Sequence, residues 1–208
     1  MASKLIFDEE KHVYSLEGRY LPGVSSILKK AGLVDLSGIP EEVLERARNF
    51  GIAVHKACEL EDLGTLDIAS LSEYVVPSLE AWRKFKVDAK VEVEEIEMPV
   101  YSQRWWYAGK LDRVIVMDGK RLLVDIKSSS SVYPSMKIQL AGYKIAFEEL
   151  SGAKIRGRLI VQLLPNGEYK LHPCNDESDE QVFLAAVQIY KFTRKEKVYY
   201  DRQRSINY

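Results

Sequence analysis

The segment Tyr107–Ser131, YAGKLDRVIVMDGKRLLVDIKSSSS, decides the fold of this chain. Two largely apolar stretches flank Asp118-Gly119, a dipeptide favoured in two-residue β-hairpin turns. Such a turn would pair Met117 with Lys120 and fix the register of the whole hairpin. Apolar residues occupy both faces, which is typical of a strand pair covered on both sides: Val114, Val116 and Leu123 on one face, and Leu111, Ile115, Leu122 and Val124 on the other.

Two aspartates meet at the open end of this predicted hairpin. In the register set by the turn, Asp112 lies opposite Asp125 on the same face, with Cβ atoms roughly 4.5–5.5 Å apart. Carboxylates at that distance in apolar surroundings repel one another unless a cation lies between them, and divalent cations prefer carboxylate oxygens. Lys127 points to the same face. The alternatives are a solvated charged face, or a three-residue turn that shifts the register and separates the acids.

The composition is that of an ordinary globular protein of one domain. The 208 residues are 46% hydrophobic and 29% charged, and the net charge of −1 gives no overall attraction to nucleic acid. Cys58 and Cys174 are far apart in sequence, which argues against a disulfide scaffold, a zinc finger or an iron–sulfur cluster. No apolar run reaches the roughly 20 residues that span a bilayer, and the first residues do not resemble a signal peptide. We therefore expect a protein of the cytoplasm, or of a host cytoplasm if viral, without membrane contact.

The order of the predicted elements indicates an α/β fold. A helix, three strands, a helix and a further strand follow one another, and a hairpin combined with a helical crossover implies a mixed sheet with helices on its faces. We expect a single domain, 1–208, with three parts: an amino-terminal hairpin and short helix (1–36), a core (40–164) and a carboxy-terminal strand and helix (165–208). The predicted core elements are helices at 40–64, 70–88 and 134–150, strands at 90–101 and 155–164, and a bulge near Glu94-Glu95. Pro77 should either kink the second of these helices or mark its true start.

The predicted helix after Pro40 carries polar residues at a spacing of four. Gly51, His55 and Glu59 therefore share one face. A glycine inside a helix lowers its stability, which suggests that close packing requires Gly51. His55 is either a hydrogen-bonded core residue or a further ligand for a magnesium or manganese ion.

The predicted helix after Pro134 has a similar pair, Gln139 and Tyr143. They form either a helix edge packed on the sheet or a contact for substrate. Because this helix begins shortly after Lys127 and Ser129, its first turns would overhang the predicted metal. Ser129, Gln139 and Tyr143 are therefore candidates for binding a phosphodiester backbone.

Four ordered motifs carry a family resemblance. GIAVHKACE, AGKLDRV, LLVDIKSS and QLAGY, spanning Gly51–Tyr143, resemble those of the RecB-like branch of the PD-(D/E)xK nucleases, which includes phage-type exonucleases. The predicted element order is also that of the restriction-endonuclease-like core of this family. The chain lacks the cysteine cluster that binds an iron–sulfur centre in some relatives. The resemblance implies metal ligation by His55, Asp112, Asp125 and the backbone carbonyl of Ile126, catalysis by Asp112, Asp125 and Lys127, substrate binding by Gln139 and Tyr143, and an accessory role for Glu59.

The resemblance implies a magnesium- or manganese-dependent deoxyribonuclease that hydrolyses phosphodiester bonds by water attack, using one or two ions. Cutting from DNA ends, as an exonuclease, is the expected mode. Structure-specific and restriction-type endonucleases share this core. A non-catalytic nucleic-acid-binding module and a hydrolase of small phosphoesters are further alternatives. The expected partner is single- or double-stranded DNA, with recombination or replication proteins as further candidates, and the oligomeric state is not predicted.

Two further clusters combine basic and aromatic residues. One is Arg104–Tyr107, and the other is the tail Lys191–Tyr208, KFTRKEKVYYDRQRSINY. Each would suit stacking on unpaired bases and pairing with phosphates. The alternatives are burial of the two indoles and a solvated helix end.

Overall fold

The structure is a computed structural model that describes residues 5–8 and 13–206, with side chains as far as 195. These residues form eight strands and five helices, with a short 3₁₀ turn at Ile68–Ser70. The strands are β1 (Leu5–Asp8), β2 (Val13–Leu16), β3 (Arg19–Leu21), β4 (Glu92–Ser102), β5 (Tyr107–Met117), β6 (Lys120–Lys127), β7 (Gly157–Leu163) and β8 (Tyr169–Pro173). The helices are α1 (Val24–Lys30), α2 (Glu41–Asp62), α3 (Val76–Asp88), α4 (Pro134–Ser151) and α5 (Ser178–Ile206).

The central sheet has five strands in the order β4-β5-β6-β7-β8. Only the β6–β7 pair is parallel, and α4 forms the crossover between these two strands. The predicted mixed sheet with flanking helices is confirmed. Its hairpin is confirmed as well: Met117 pairs with Lys120, and Asp118 and Gly119 both have positive φ angles, 50° and 69°, as a primed turn requires.

Helices cover both faces of the central sheet. On one face, Val114 and Leu123 pack with residues of α1, α4 and α5. On the other, Ile115 and Val124 pack with residues of α2 and α3. Leu111 was predicted for this second face but packs with Val114, because β5 departs from strict alternation around Asp112. The largest buried side chains in these two layers include Phe147 and Phe183 in the first, and Trp82 and Phe85 in the second.

The amino-terminal part is a second, three-stranded sheet rather than a single hairpin. Strands β1, β2 and β3 pair antiparallel in sequence order. This sheet is joined to the central one where Ala108 N donates a hydrogen bond to Pro22 O (3.0 Å) and Gly23 forms a parallel bridge with Ala108. These contacts at Ala108 place α1 against β5. Ala108 precedes Asp112 by four residues on this strand.

Local features of the sequence, such as glycines and prolines, account for several element boundaries. The predicted β4 bulge is confirmed, because the register with β5 shifts between Val93 and Glu95. Helix α4 ends with Gly152 in the left-handed region (φ 72°). Helix α3 begins at Val76, which agrees with the expectation that Pro77 marks its true start and not with a start at Ser70, because proline suits a first helical turn and breaks a helix interior. Among the described residues, no helix has both the length and the apolar composition that crossing a bilayer requires.

Candidate active site and metal centre

Asp112 and Asp125 lie side by side at the end of the β5–β6 ladder. The last ladder pair is Arg113 with Val124, so the two aspartates are the next residue on each strand. They are 9% and 2% exposed. Asp112 Oδ2 accepts a hydrogen bond from the backbone N–H of Ile126 (2.7 Å), which fixes that carboxylate against β6. The hairpin therefore brings both predicted acids to one place.

Lys127 pairs with Asp125. Its Nζ lies 2.7 Å from Asp125 Oδ2, as expected for two residues on the same face of a strand. Burial raises the pKa of Asp125 to about 6, and the nearby charge of Asp112 adds to the shift, while Lys127 opposes it. Burial alone would lower the pKa of Lys127, but Asp125 and Asp112 raise it overall, so the ammonium stays protonated.

His55 reaches the same acids from α2. Its Nδ1 lies 3.6 Å from Asp112 Oδ2 and 3.8 Å from Glu97 Oε1. Burial lowers the pKa of His55, but the surrounding carboxylates, Asp112 first among them, raise it overall. One ligand atom from each of His55, Glu97 and Asp112 lies within 4.8 Å of the other two. Such a group could hold a metal ion.

Glu97 is the member of this group that the sequence did not identify. It lies in β4, next to β5, and its φ angle of 47° is in the left-handed region. Its carboxylate accepts from Arg113 Nη1 (3.0 Å) and pairs with Lys110 Nζ (2.8 Å). Burial would raise the pKa of Glu97, but the neighbouring His55 and Lys110 lower it to about 2. Four acids share β4, and strand alternation gave no reason to select this one.

The cavity in front of these residues has a volume of about 1160 Å³. One side is polar and includes His55, Glu59, Glu97, Asp112 and Lys127. The lining also includes exposed apolar residues of α2 and of the segment before it: Leu33, Leu36, Ile39, Val43 and Ile52. Charged and apolar side chains therefore line the same cavity.

Two further candidates line this cavity: Glu59, predicted as an accessory residue, and Ser129, predicted to bind substrate. Glu59 accepts a hydrogen bond from Lys56 Nζ (2.9 Å). The Ser129 hydroxyl donates to the carbonyl of Ser131 (2.8 Å), while the carbonyl of Ser129 accepts from Gln162 Nε2 (2.8 Å). These bonds hold the β6–α4 loop at the edge of the cavity.

Gly51 also borders the cavity. A Cβ atom added at this position would have no neighbouring atom within 4 Å. The prediction that close packing requires a glycine here is therefore wrong.

Gln139 and Tyr143 are outside the lining of this cavity. Gln139 Nε2 donates to the Tyr143 hydroxyl (3.0 Å), as the spacing of four predicts. Tyr143 is only 6% exposed, and its ring lies against Gly109 of β5, where any Cβ would come within 2.5 Å of Tyr143 Cε1. Burial, together with the charges of Asp112 and Asp125, raises the pKa of Tyr143 well above its ordinary value. The phenol therefore lies between α4 and β5, outside the lining of the cavity.

Comparison with known proteins relates this fold to solved structures at low sequence identity. No protein-family model and no curated protein matches the chain. A protein from Eubacterium rectale described as a "putative exonuclease" is 13% identical, with a TM-score of 0.50 over 71% of this chain and 68% of that one. An alkaline exonuclease from Laribacter hongkongensis is 10% identical, with a TM-score of 0.48 over 87% and 92% of the two chains. Its complex with dAMP gives 11% identity and the same TM-score. The likeness to the first of these shows a shared fold.

Proposed function

We propose that this chain is a magnesium- or manganese-dependent DNA nuclease, and more specifically an exonuclease. The observation that carries the proposal is the group of His55, Glu97 and Asp112, which opens on a large cavity beside the Asp125–Lys127 pair. The fold likeness to a protein described as an exonuclease agrees with this proposal. The ordered motifs that resemble the RecB-like nucleases support it independently.

The donor atoms suit a hard divalent cation. The two carboxylates are ligands that magnesium and manganese prefer, and the group contains no thiolate of the kind that softer metals select. His55, Glu97 and Asp112 would hold the ion, and the resemblance adds Asp125 and the carbonyl of Ile126. When bound, magnesium or manganese polarises a phosphate and lowers the pKa of a coordinated water.

Lys127 would act on the phosphate itself, and Asp125 would position Lys127. The Lys127 ammonium borders the cavity and is kept protonated by Asp125 and Asp112. A fixed positive charge in this position would stabilise the negative charge that develops on the phosphate oxygens during water attack. Asp125 would hold that ammonium in place through the 2.7 Å ion pair. Ser129 at the cavity edge, with Gln139 and Tyr143 on the α4 side, would contact the DNA backbone.

The shape of the cavity supports a polymeric substrate with an unpaired end. Its volume of about 1160 Å³ exceeds the roughly 300–1,000 Å³ of small-molecule pockets. The exposed apolar residues of the lining, including Leu36 and Ile52, would favour contact with unstacked bases. A strand end supplies such bases more readily than the interior of a duplex. An exonuclease therefore fits this cavity better than a hydrolase of small phosphoesters.

The decisive experiment is a time course with end-labelled linear DNA, single- and double-stranded, in magnesium or manganese, with EDTA as the metal-free control. We expect progressive loss of nucleotides from linear DNA and none from covalently closed circles. Cleavage of closed circles would instead indicate an endonuclease. The absence of cleavage with either metal would refute the nuclease proposal.

Three substitutions test the assigned residues in the same assay. Asp112→Asn, Asp125→Asn and Lys127→Ala should each abolish cleavage while the variants remain folded. Glu92→Gln and Lys120→Gln are the matched controls, because they change exposed charged residues of the same sheet, at the first positions of β4 and β6. Undiminished cleavage by purified Asp125→Asn protein would overturn the assignment.

A further inference from the structure

A second cleft lies outside the candidate active site. It has a volume of about 390 Å³, and its lining shares no residue with that of the larger cavity. It combines the β3–α1 connection, the β4–β5 turn and α5, through Pro22, Trp106, Tyr190, Lys191, Arg194 and Lys195. The fold thus brings together the two basic and aromatic clusters that the sequence shows far apart. From residue 196 on, the tail cluster lies outside the described side chains.

Two residues that line this cleft, Trp106 and Arg194, take part in arginine–aromatic contacts with the neighbouring Arg19 and Tyr20. Arg19 Cζ lies 4.4 Å from the centre of the Trp106 ring, and Arg194 Cζ lies 5.1 Å from the centre of the Tyr20 ring. The hydroxyls of Tyr20 and Tyr190 are 3.4 Å apart, and Trp106 Nε1 donates to the Tyr20 carbonyl (3.1 Å). Tyr20 is 38% exposed, so this aromatic surface is accessible from solvent. Guanidinium planes and aromatic rings are the surfaces on which unpaired bases stack.

The charge of the cleft is positive and concentrated on one side of α5. Phe183 and Val187 are buried on this helix, and the same stripe reaches the half-buried Tyr190 one turn later. Beyond that point, Lys191, Arg194 and Lys195 follow at spacings of three and four, so they share a face and repel one another. Among the described residues, no carboxylate lies within ion-pair distance of these three side chains or of Arg19. A bound polyanion would relieve this repulsion.

We propose that this cleft binds a single DNA strand at a site separate from the candidate active site. The cations would pair with successive phosphates, while Trp106 and Tyr20 would stack with unpaired bases. A duplex keeps its bases paired and would use only the phosphate contacts. The choice of DNA as the ligand rests on the proposed nuclease function, but binding here requires neither the metal nor cleavage.

Fluorescence anisotropy with a short, labelled oligo-thymidine in EDTA tests this site without cleavage. The double variant Arg194→Gln/Lys195→Gln should bind about tenfold more weakly at low salt. Its plot of log affinity against log salt should be shallower by about 1.4, since each phosphate contact to a single strand contributes about 0.7. Trp106→Ala should weaken binding by about tenfold with a nearly unchanged salt slope, because it removes stacking and no charge. Thermal unfolding would verify that each variant is folded. If Trp106→Ala does not fold, the affinity and salt slope of Arg194→Gln/Lys195→Gln test the proposal.

The matched control is Lys120→Gln/Lys170→Gln, which removes the same charge from exposed positions in β6 and β8. It should bind like the wild type. Equal losses of affinity in the two double variants would mean that binding depends only on net charge, and would overturn the proposal. An unchanged affinity of Arg194→Gln/Lys195→Gln would also overturn it. Binding to anionic lipid vesicles but not to the oligonucleotide would also overturn it. Wild-type protein that binds the oligonucleotide at this cleft but cleaves no DNA in magnesium or manganese would refute the nuclease function alone.

Discussion

Arg113 Nε and Asp62 Oδ2 are 2.8 Å apart, and both side chains are completely buried. This ion pair joins β5 to the last turn of α2. The same guanidinium donates to Glu97 Oε1 (3.0 Å) and to the backbone carbonyl of Asp112 (2.6 Å). Arg113 therefore connects the packing of α2 with two of the three residues that could hold a metal.

Replacing Arg113 should destabilise the protein substantially. Arg113→Met would leave Asp62 buried with only Lys86 and the Trp82 indole as partners. Breaking a buried pair by removing one partner costs about 3–5 kcal/mol, and we expect a value near the lower limit because Lys86 remains. Urea denaturation would measure it. The control is Arg121→Met, which breaks the exposed Arg121–Glu94 pair and should have little effect. Similar losses in the two variants would contradict this explanation.

Glu97 should contribute directly to metal affinity. Glu97→Gln keeps the size of the side chain but removes one of the two carboxylates from the group with His55 and Asp112. We expect manganese to bind at least about tenfold more weakly, as measured by calorimetric titration of metal-free protein. Glu92→Gln, at an exposed position of the same strand, should bind like the wild type. Unaltered manganese affinity in Glu97→Gln would exclude this residue from the metal site.

The buried charge of Asp125 should leave a signature in the pH dependence of stability. Its pKa is raised to about 6, above the ordinary value of about 3.9, so between these limits the folded state binds more protons than the unfolded state. Acidification from about pH 6 to about pH 4 should therefore stabilise the metal-free wild type relative to Asp125→Asn, by at most about 1.4 kcal/mol per pH unit.

Urea denaturation in EDTA at several pH values measures this difference. Glu94 provides a comparison of opposite sign, because the hydrogen bond from Arg121 lowers its pKa. Relative to Glu94→Gln, the wild type should lose stability as the pH falls below the ordinary glutamate range. The opposing outcome is a stability difference between the wild type and Asp125→Asn that stays constant or changes in the opposite direction as the pH falls. Either result would show that burial does not destabilise the charge of Asp125.

Two glycines lie close to the candidate site, and replacing each by alanine should change the stability of the protein in opposite directions. Gly109→Ala would place a methyl group 2.5 Å from Tyr143 Cε1, which forces the ring away and should cost about 1–3 kcal/mol. Gly51→Ala adds a methyl group to the interior of α2 where nothing lies within 4 Å, and it should stabilise the protein by about 0.5–1 kcal/mol. Thermal unfolding measures both. A loss of stability in Gly51→Ala would mean that an unseen contact occupies this position.

The sequence alone determined the features that depend on near neighbours. The turn at Asp118-Gly119 fixes which residues of β5 and β6 oppose each other, and strand alternation then brings Lys127 to Asp125. Helical spacing likewise joined Gln139 to Tyr143. These contacts follow from backbone geometry over a few residues, and for this reason a linear pattern was sufficient to predict them.

Only the tertiary structure decided which distant residues complete these local groups. Glu97 was indistinguishable from the other acids of β4, since a bulge and a positive φ angle set its direction. The Arg113–Asp62 pair depends on how α2 crosses the sheet, and the cleft between Trp106 and Arg194 depends on how α5 packs beside the amino-terminal sheet. The physical reason is the same in each case: these partners are joined by packing of whole elements, and no periodicity along the chain records how those elements will meet.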